Sequence, residues 1–209
     1  METPSRDCGL CPRLVALRLE CRAEEPDWFN APVPSFGDLD AQLLVVGLAP
    51  GRNGANRTGR PFTGDYAGVL LYQTLTRFGF AKGTYAERAD DGLKLIDCRI
   101  TNAVRCLPPE NKPTPAEIKT CRPFLVDEIE AMGRLKAIMA LGRVAHESVV
   151  ATFGGKQKHF PFGHGAAHHI RDGLVLFDSY HCSRYNTNTG RLTTEMFESV
   201  VGEIRKRLG

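Results

Sequence analysis

The sequence predicts an α/β protein, a three-layer α/β/α sandwich built as a single domain around a four-stranded, mostly parallel sheet. Two observations carry this reading. Four short apolar runs, Leu43 to Leu48, Ile100 to Val104, Lys136 to Leu141 and Leu174 to Phe177, have the unbroken hydrophobicity of strands buried on both faces. Each is followed by a loop and a segment of helical spacing, the order that builds a parallel sheet with helices on both sides. The 209 residues, 42% hydrophobic and 24% charged, suffice for one such core and are too apolar for a disordered chain.

Residues 1–38, with Pro26, Pro32, Pro34 and the only tryptophan, Trp28, read as an irregular N-terminal arm packed on the domain. After the first strand, Val69, Leu70, Leu71, Leu75 and Phe78 recur at helical spacing over 68–78. Thr114-Pro115-Ala116-Glu117 is a capping box with proline at the first helical position, so a helix starts there. Pro123 is expected to bend or interrupt it. Further helices are expected over about 144–153 and about 194–208.

In a parallel sheet the working loops lie beyond the carboxyl ends of the strands. Two windows without any acid, Asp40 to Asp65 and Asp178 to Glu195, fall largely on that rim and carry Arg52, Arg57, Arg60, Arg184 and Arg191. Both are rich in Gly, Asn, Ser and Thr, a composition suited to meeting an anion. The first loop supplies Ala49 and Gly51 for close backbone approach, Phe62 as a flat face for a planar base, and the carboxylate of Asp65. Asn102 can present both a donor and an acceptor to a base edge. The last loop brings His181 with Ser183, Arg184, Asn186 and Arg191. Together these suit hydrolysis at a base in a nucleic acid.

Several near-matches fail. Gly54 and Gly59 have the spacing of a phosphate-binding loop, but Arg60-Pro61 follows where Lys-Ser/Thr is required. His146-Glu147 lacks a second histidine at Val150. His159, His164, His168 and His169 read as a polar loop, with a metal site as the alternative.

Seven cysteines without a visible secretory signal argue against a disulfide framework and for an intracellular, cytoplasmic location. Cys8 and Cys11 form a C-x2-C pair, and Cys106 and Cys121 stand fourteen residues apart. That lopsided spacing fits a zinc ribbon poorly and a [4Fe–4S] cluster, which takes four thiolates, better. Small buried apolar residues are the alternative.

From Cys8 to the last helix, the chain resembles the uracil-DNA glycosylase superfamily, most closely its family 5, the UDGb type. The first motif, GLAPG with RTGRPFTGD and a closing glycine, carries the likeness, together with ITNAVRC, Cys121 and the N-terminal C-x2-C. One departure is Cys182, where the common family form has proline after the histidine.

The resemblance implies a monofunctional enzyme that hydrolyses the N-glycosidic bond of uracil, and of other deaminated bases such as hypoxanthine, in DNA. By motif, Phe62 would stack on the extruded base, Asn102 would read its edge, and Ala49 and Gly51 would line the pocket. His181 would stabilise the leaving base, and Asp65 would position water or offset the positive sugar. Arg57 and Arg60 would meet phosphates, and Ser183, Arg184, Asn186 and Arg191 would hold the strand. Cys8, Cys11, Cys106 and Cys121 would bind a [4Fe–4S] cluster tying the arm to the domain, and the protein would act as a monomer. Other classes remain open at this point: a non-catalytic iron–sulfur nucleic-acid-binding module, or a hydrolase of free nucleosides and nucleotides.

Overall fold

The computed structural model describes all 209 residues. A parallel core of four strands runs in the order β5-β2-β6-β8: β2 is Leu43–Gly47, β5 Cys98–Asn102, β6 Ala137–Leu141 and β8 Leu174–Ser179. These are the four strands expected from the apolar runs, and every residue in them is buried.

The sheet has six strands rather than four. A two-residue strand β1, Phe36–Gly37, pairs antiparallel with β5, and β7, Ala167–Arg171, pairs antiparallel with β8. β7 escaped the apolar criterion because it is an edge strand, AHHIR, in which exposed residues alternate with partly buried ones. A separate ribbon joins β3, Ala81–Lys82, to β4, Lys94–Leu95.

Strand residues alternate between two cores, as a pleated sheet requires. Leu43, Val45, Met139 and Phe177 pack on one face against α3, Tyr66–Arg77, and α7, Thr194–Leu208. Leu44, Val46, Ile138 and Leu176 pack on the other against α4, Pro115–Ala131, and α5, Arg143–Thr152. This is the expected three-layer arrangement.

The capping box at α4 is present: the Thr114 hydroxyl accepts from Glu117 N at 3.2 Å, and the Glu117 carboxylate accepts from Thr114 N at 2.7 Å. The helix runs through Pro123 without the expected interruption. Pro123 is exposed, so water can satisfy the carbonyl its missing N–H leaves behind.

The arm is not wholly irregular, because Pro12–Glu24 forms helix α1 with proline at its first position. Only Leu14, Arg18 and Cys21 of α1 are buried, a face too narrow to stand out in the sequence. Two short helices complete the set: α2, Ala55–Thr58, and α6, Arg184–Asn188. No helix is long and apolar enough to cross a membrane.

Candidate active site

β2, β5 and β8 end at Gly47, Asn102 and Ser179, and the loops beyond them enclose a cavity of about 430 Å³. Ala49, Gly51, Phe62 and Asp65 line it from the first loop, Asn102 from the end of β5, and His181, Ser183 and Arg184 from the last loop. Residues from three loops far apart in sequence thus meet in one slot.

Gly47 is opposite Asn102 in the parallel pairing of β2 and β5. A Cβ on Gly47 would lie 2.3 Å from Asn102 Oδ1 and 2.6 Å from Phe62 Cζ, so only glycine lets both side chains close over the strand end. Asn102 Oδ1 is buried and has no hydrogen-bond partner in the protein. Phe62 is 6% exposed and has a left-handed backbone, φ 51°. Its carbonyl accepts from the Tyr85 hydroxyl at 3.1 Å. Its ring stands 5.9 Å from that of His181.

Asp65 is the N-cap of α3, and its Oδ1 accepts from Gly68 N at 3.1 Å. Burial raises its pKa above the ordinary 3.8, while the backbone N–H groups of Gly68 and Ala67 pull the other way. His181 opens partly to the cavity, yet burial lowers its pKa from 6.5 to about 4, so its ring is neutral at neutral pH. No lysine lines the cavity.

The predicted basic residues divide. Arg57 is exposed on α2 and makes no ion pair within 4.0 Å. Arg184 lies over the Tyr66 ring, 5.3 Å from its centroid, at the cavity mouth. Ser183 caps α6, and Asn186 Nδ2 donates to the His181 carbonyl at 2.8 Å. Arg191 lies over Tyr180 in a second cleft of about 300 Å³ that also contains Arg143 and shares His181 with the first.

Arg60 corrects the expectation that it meets phosphate. It is buried, pairs with both oxygens of Asp91 at 2.8 and 2.7 Å, and donates to Thr63 Oγ1 at 2.7 Å. It braces the Phe62 loop from inside. Two residues lining the cavity, Asn111 and Tyr66, escaped the sequence reading, and so did Tyr185, which stands outside it on α6. Asn111 lines the cavity from a turn with φ 57°, Tyr66 lines its mouth, and Tyr185 on α6 is 72% exposed. Only Tyr185, an aromatic between two polar motif residues, left any signal.

The histidine-rich segment is not simply a polar loop. His146, wholly buried, contacts Asp178 Oδ1 through Nδ1 at 2.7 Å and the Phe160 carbonyl through Nε2 at 2.8 Å. His168 Nε2 stands 3.3 Å from the other Asp178 oxygen, and His164 Nδ1 accepts from Tyr180 N at 3.2 Å.

Cys8, Cys11, Cys106 and Cys121 line one small cavity with Leu14, Val104 and Phe124, and no carboxylate lines it. The pKa of Cys106 is pushed up to about 12, by burial first and by Cys121 next, with Arg18 acting in the opposite direction. Only His146, His168 and Asp178 bring three metal-ligating atoms within 4.8 Å of one another. No three of the four thiols lie within 4.8 Å of one another, whereas the sulfurs of a tetrahedral zinc site with Zn–S bonds of about 2.3 Å would all do so. Four cysteine sulfurs around one hollow that Arg18 and Arg105 also line, with no carboxylate, fit an iron–sulfur group.

The sheet order and the slot at its carboxyl rim define a class: an α/β protein with a pocket for a planar, hydrogen-bonding base. Residues 34–205 match the model of the uracil DNA glycosylase superfamily. A type-5 uracil-DNA glycosylase of Thermus thermophilus is 46% identical over 97% of this chain and 94% of that protein. That of Mycobacterium tuberculosis is 42% identical over 97% of this chain and 78% of its own length. That of Pyrobaculum aerophilum is 40% identical over 93% and 86%. The chain belongs to the uracil-DNA glycosylase superfamily, on its type-5 branch.

Proposed function

We propose that this protein hydrolyses the N-glycosidic bond of uracil in DNA, releasing the base and leaving the strand intact to begin base-excision repair. The observation that carries the reading is that Asn102, whose side-chain Oδ1 has no partner within the protein, lines one cavity together with Phe62, Asp65 and His181. A side-chain amide can both donate to and accept from the edge of a base, and uracil presents a donor N–H beside carbonyl acceptors. Membership of a glycosylase superfamily supports the same chemistry.

A base is reached only after extrusion from the duplex, which costs a few kcal/mol and least at a mismatch such as U·G. Phe62 then offers its ring to the base, and Ala49 and Gly51 let it approach the backbone. Neutral His181 donates to the carbonyl oxygen, where negative charge grows as the bond breaks. Asp65 lies where a carboxylate can hold the attacking water or offset the oxocarbenium-like sugar. With no lysine in the cavity, no Schiff base forms and the strand is not cut.

Arg57, Arg184 and Arg191 meet phosphates, with Ser183 and Asn186 shaping the loop that carries the last two. Exposed Tyr185 fills the gap left in the stack. A cavity walled on one side by Leu48, Ala49 and Pro50 is permissive enough to accept hypoxanthine and related deaminated bases. Cys8, Cys11, Cys106 and Cys121 hold a [4Fe–4S] cluster that ties residues 1–38 to the segment after β5. When bound, that group supplies a structural cross-link between elements distant in sequence. The chain acts as a single domain and a monomer, within the cell where its DNA substrate lies.

The test is an end-labelled duplex with one uracil opposite guanine, incubated with the protein and treated with hot alkali. A break at uracil only after alkali is expected. A break without alkali overturns the monofunctional mechanism, and no break with the duplex still bound points to a binding module.

A further inference from the structure

Four arginines of this protein are buried, and three of them are paired with carboxylates: Arg60 with Asp91, and Arg99 and Arg105 with Glu128. Arg18, on the inner face of α1 and 5% exposed, is the fourth. It has no carboxylate within 4.0 Å. Asp7, the acid that feels its charge, is exposed and held by Arg22 at 2.7 Å. Arg18 Nη2 donates to the Cys8 carbonyl at 2.9 Å, Nη1 approaches Cys106 Sγ at 4.0 Å, and Nε is buried with no partner at all.

A buried cation without an anion is not a stable arrangement, because its desolvation is uncompensated. Arg18 lines the cavity of the four cysteines, touching one ligand through its sulfur and another through its backbone; Arg105 also lines it, but its guanidinium is held by Glu128, which it shares with Arg99. We propose that Arg18 is the counter-charge of the metal–thiolate site, holding its ligand loops and neutralising the excess negative charge of four cysteine thiolates around an iron–sulfur core. The inference rests on the cluster reading above. It adds a residue outside the ligand set whose charge, rather than bulk, governs metal retention.

On this assignment guanidinium can be replaced by another cation but not by a neutral group of similar size. The experiment compares wild type with Arg18→Lys, Arg18→Met and Arg18→Gln, purified without air, by iron and sulfide content and by the rate of iron release to a chelator. Arg18→Lys is expected to release iron within about threefold of wild type, and Arg18→Met and Arg18→Gln at least about tenfold faster, the reach of a charge-assisted contact. Insoluble Met and Gln variants beside a soluble, iron-loaded Lys variant carry the same meaning.

Met, which keeps the length and apolar packing of the stem, retaining iron as well as wild type overturns the proposal and leaves Arg18 a packing residue. Lys losing iron as fast as Met also overturns it. Wild type free of iron overturns the cluster reading and the proposal together, and that result is read before any variant is made.

Discussion

Gly47 and Asn102 face each other across two parallel strands, and the amide of Asn102 occupies the space that any side chain on Gly47 would need. The Asn102 amide is thus positioned by the absence of a Cβ on its neighbour. Gly47→Ala is expected to displace both Asn102 and Phe62 and to lower single-turnover excision of uracil by about 10²-fold, the penalty of a small misplacement. The protein should remain folded by circular dichroism. Activity near that of wild type would dissociate the two side chains from base recognition.

Asp65→Asn separates catalysis from stability. Asparagine caps a helix as well as aspartate, so α3 keeps its N-cap. Asp65 has its folded pKa raised by burial, so its contribution to stability is fully present below the unfolded value and lost as pH rises through the folded one. The variant is therefore expected to melt no lower than wild type at neutral pH, while its excision rate drops by about 10²–10⁴-fold.

His181 should show no titration in the physiological range. With a pKa near 4, it is neutral from about pH 6 to pH 8, and the single-turnover rate is expected to be flat there. An inflection near 6.5 would contradict this. Because the unfolded chain binds that proton first, the stability tied to neutral His181 is full above 6.5 and declines as pH falls from there toward about 4.

His146 predicts the opposite slope. Burial alone would lower its pKa, but the hydrogen bond and charge of Asp178 raise it above 6.5. Both ring nitrogens face acceptors, so the doubly protonated ring satisfies both contacts. Its contribution is present below 6.5 and lost as pH rises through the raised value. Wild type should lose melting temperature on the alkaline side relative to His146→Gln, measured across about pH 6 to pH 9.

Arginines at the site should part company in salt titrations. Arg57→Ala or Arg191→Ala is expected to reduce the slope of log binding constant against log salt by about 1 each. Arg60→Leu should leave the slope alone and cost about 3–5 kcal/mol of stability, because it strands Asp91.

The difference between Arg60 and Arg57 shows where sequence reading stopped. Both lie in the same acid-free window, but the partner of Arg60, Asp91, is 31 residues further along the chain, and no local pattern pairs them. The four parallel strands were legible because burial on both faces leaves unbroken apolar runs. β7 was not, because an edge strand can be AHHIR. Phe62, Asp65, Asn102 and His181 could be brought to one rim by the geometry of parallel sheets alone. Asn111 could not, since it reaches the cavity through a left-handed turn after Pro109 that has no periodic signature. Arg18 was hidden for the same reason as α1: its inward face is three residues wide.

Tyr85 and Asp91 grip the Phe62 loop at two points, Tyr85 through Phe62 O and Gly64 N, and Asp91 through Arg60. Between them run Ala86 to Asp90, exposed at every position and outside any strand or helix. The Phe62 side of the cavity is therefore clasped by a strap whose middle is open to proteases, while the Ala86 N–H donating to Asp91 Oδ2 at 3.0 Å and the β3–β4 pairing tie the strap's two ends together. A protein cut within Ala86 to Asp90 should keep both grips, Tyr85 on Phe62 and Asp91 on Arg60, and with them the left-handed backbone of Phe62.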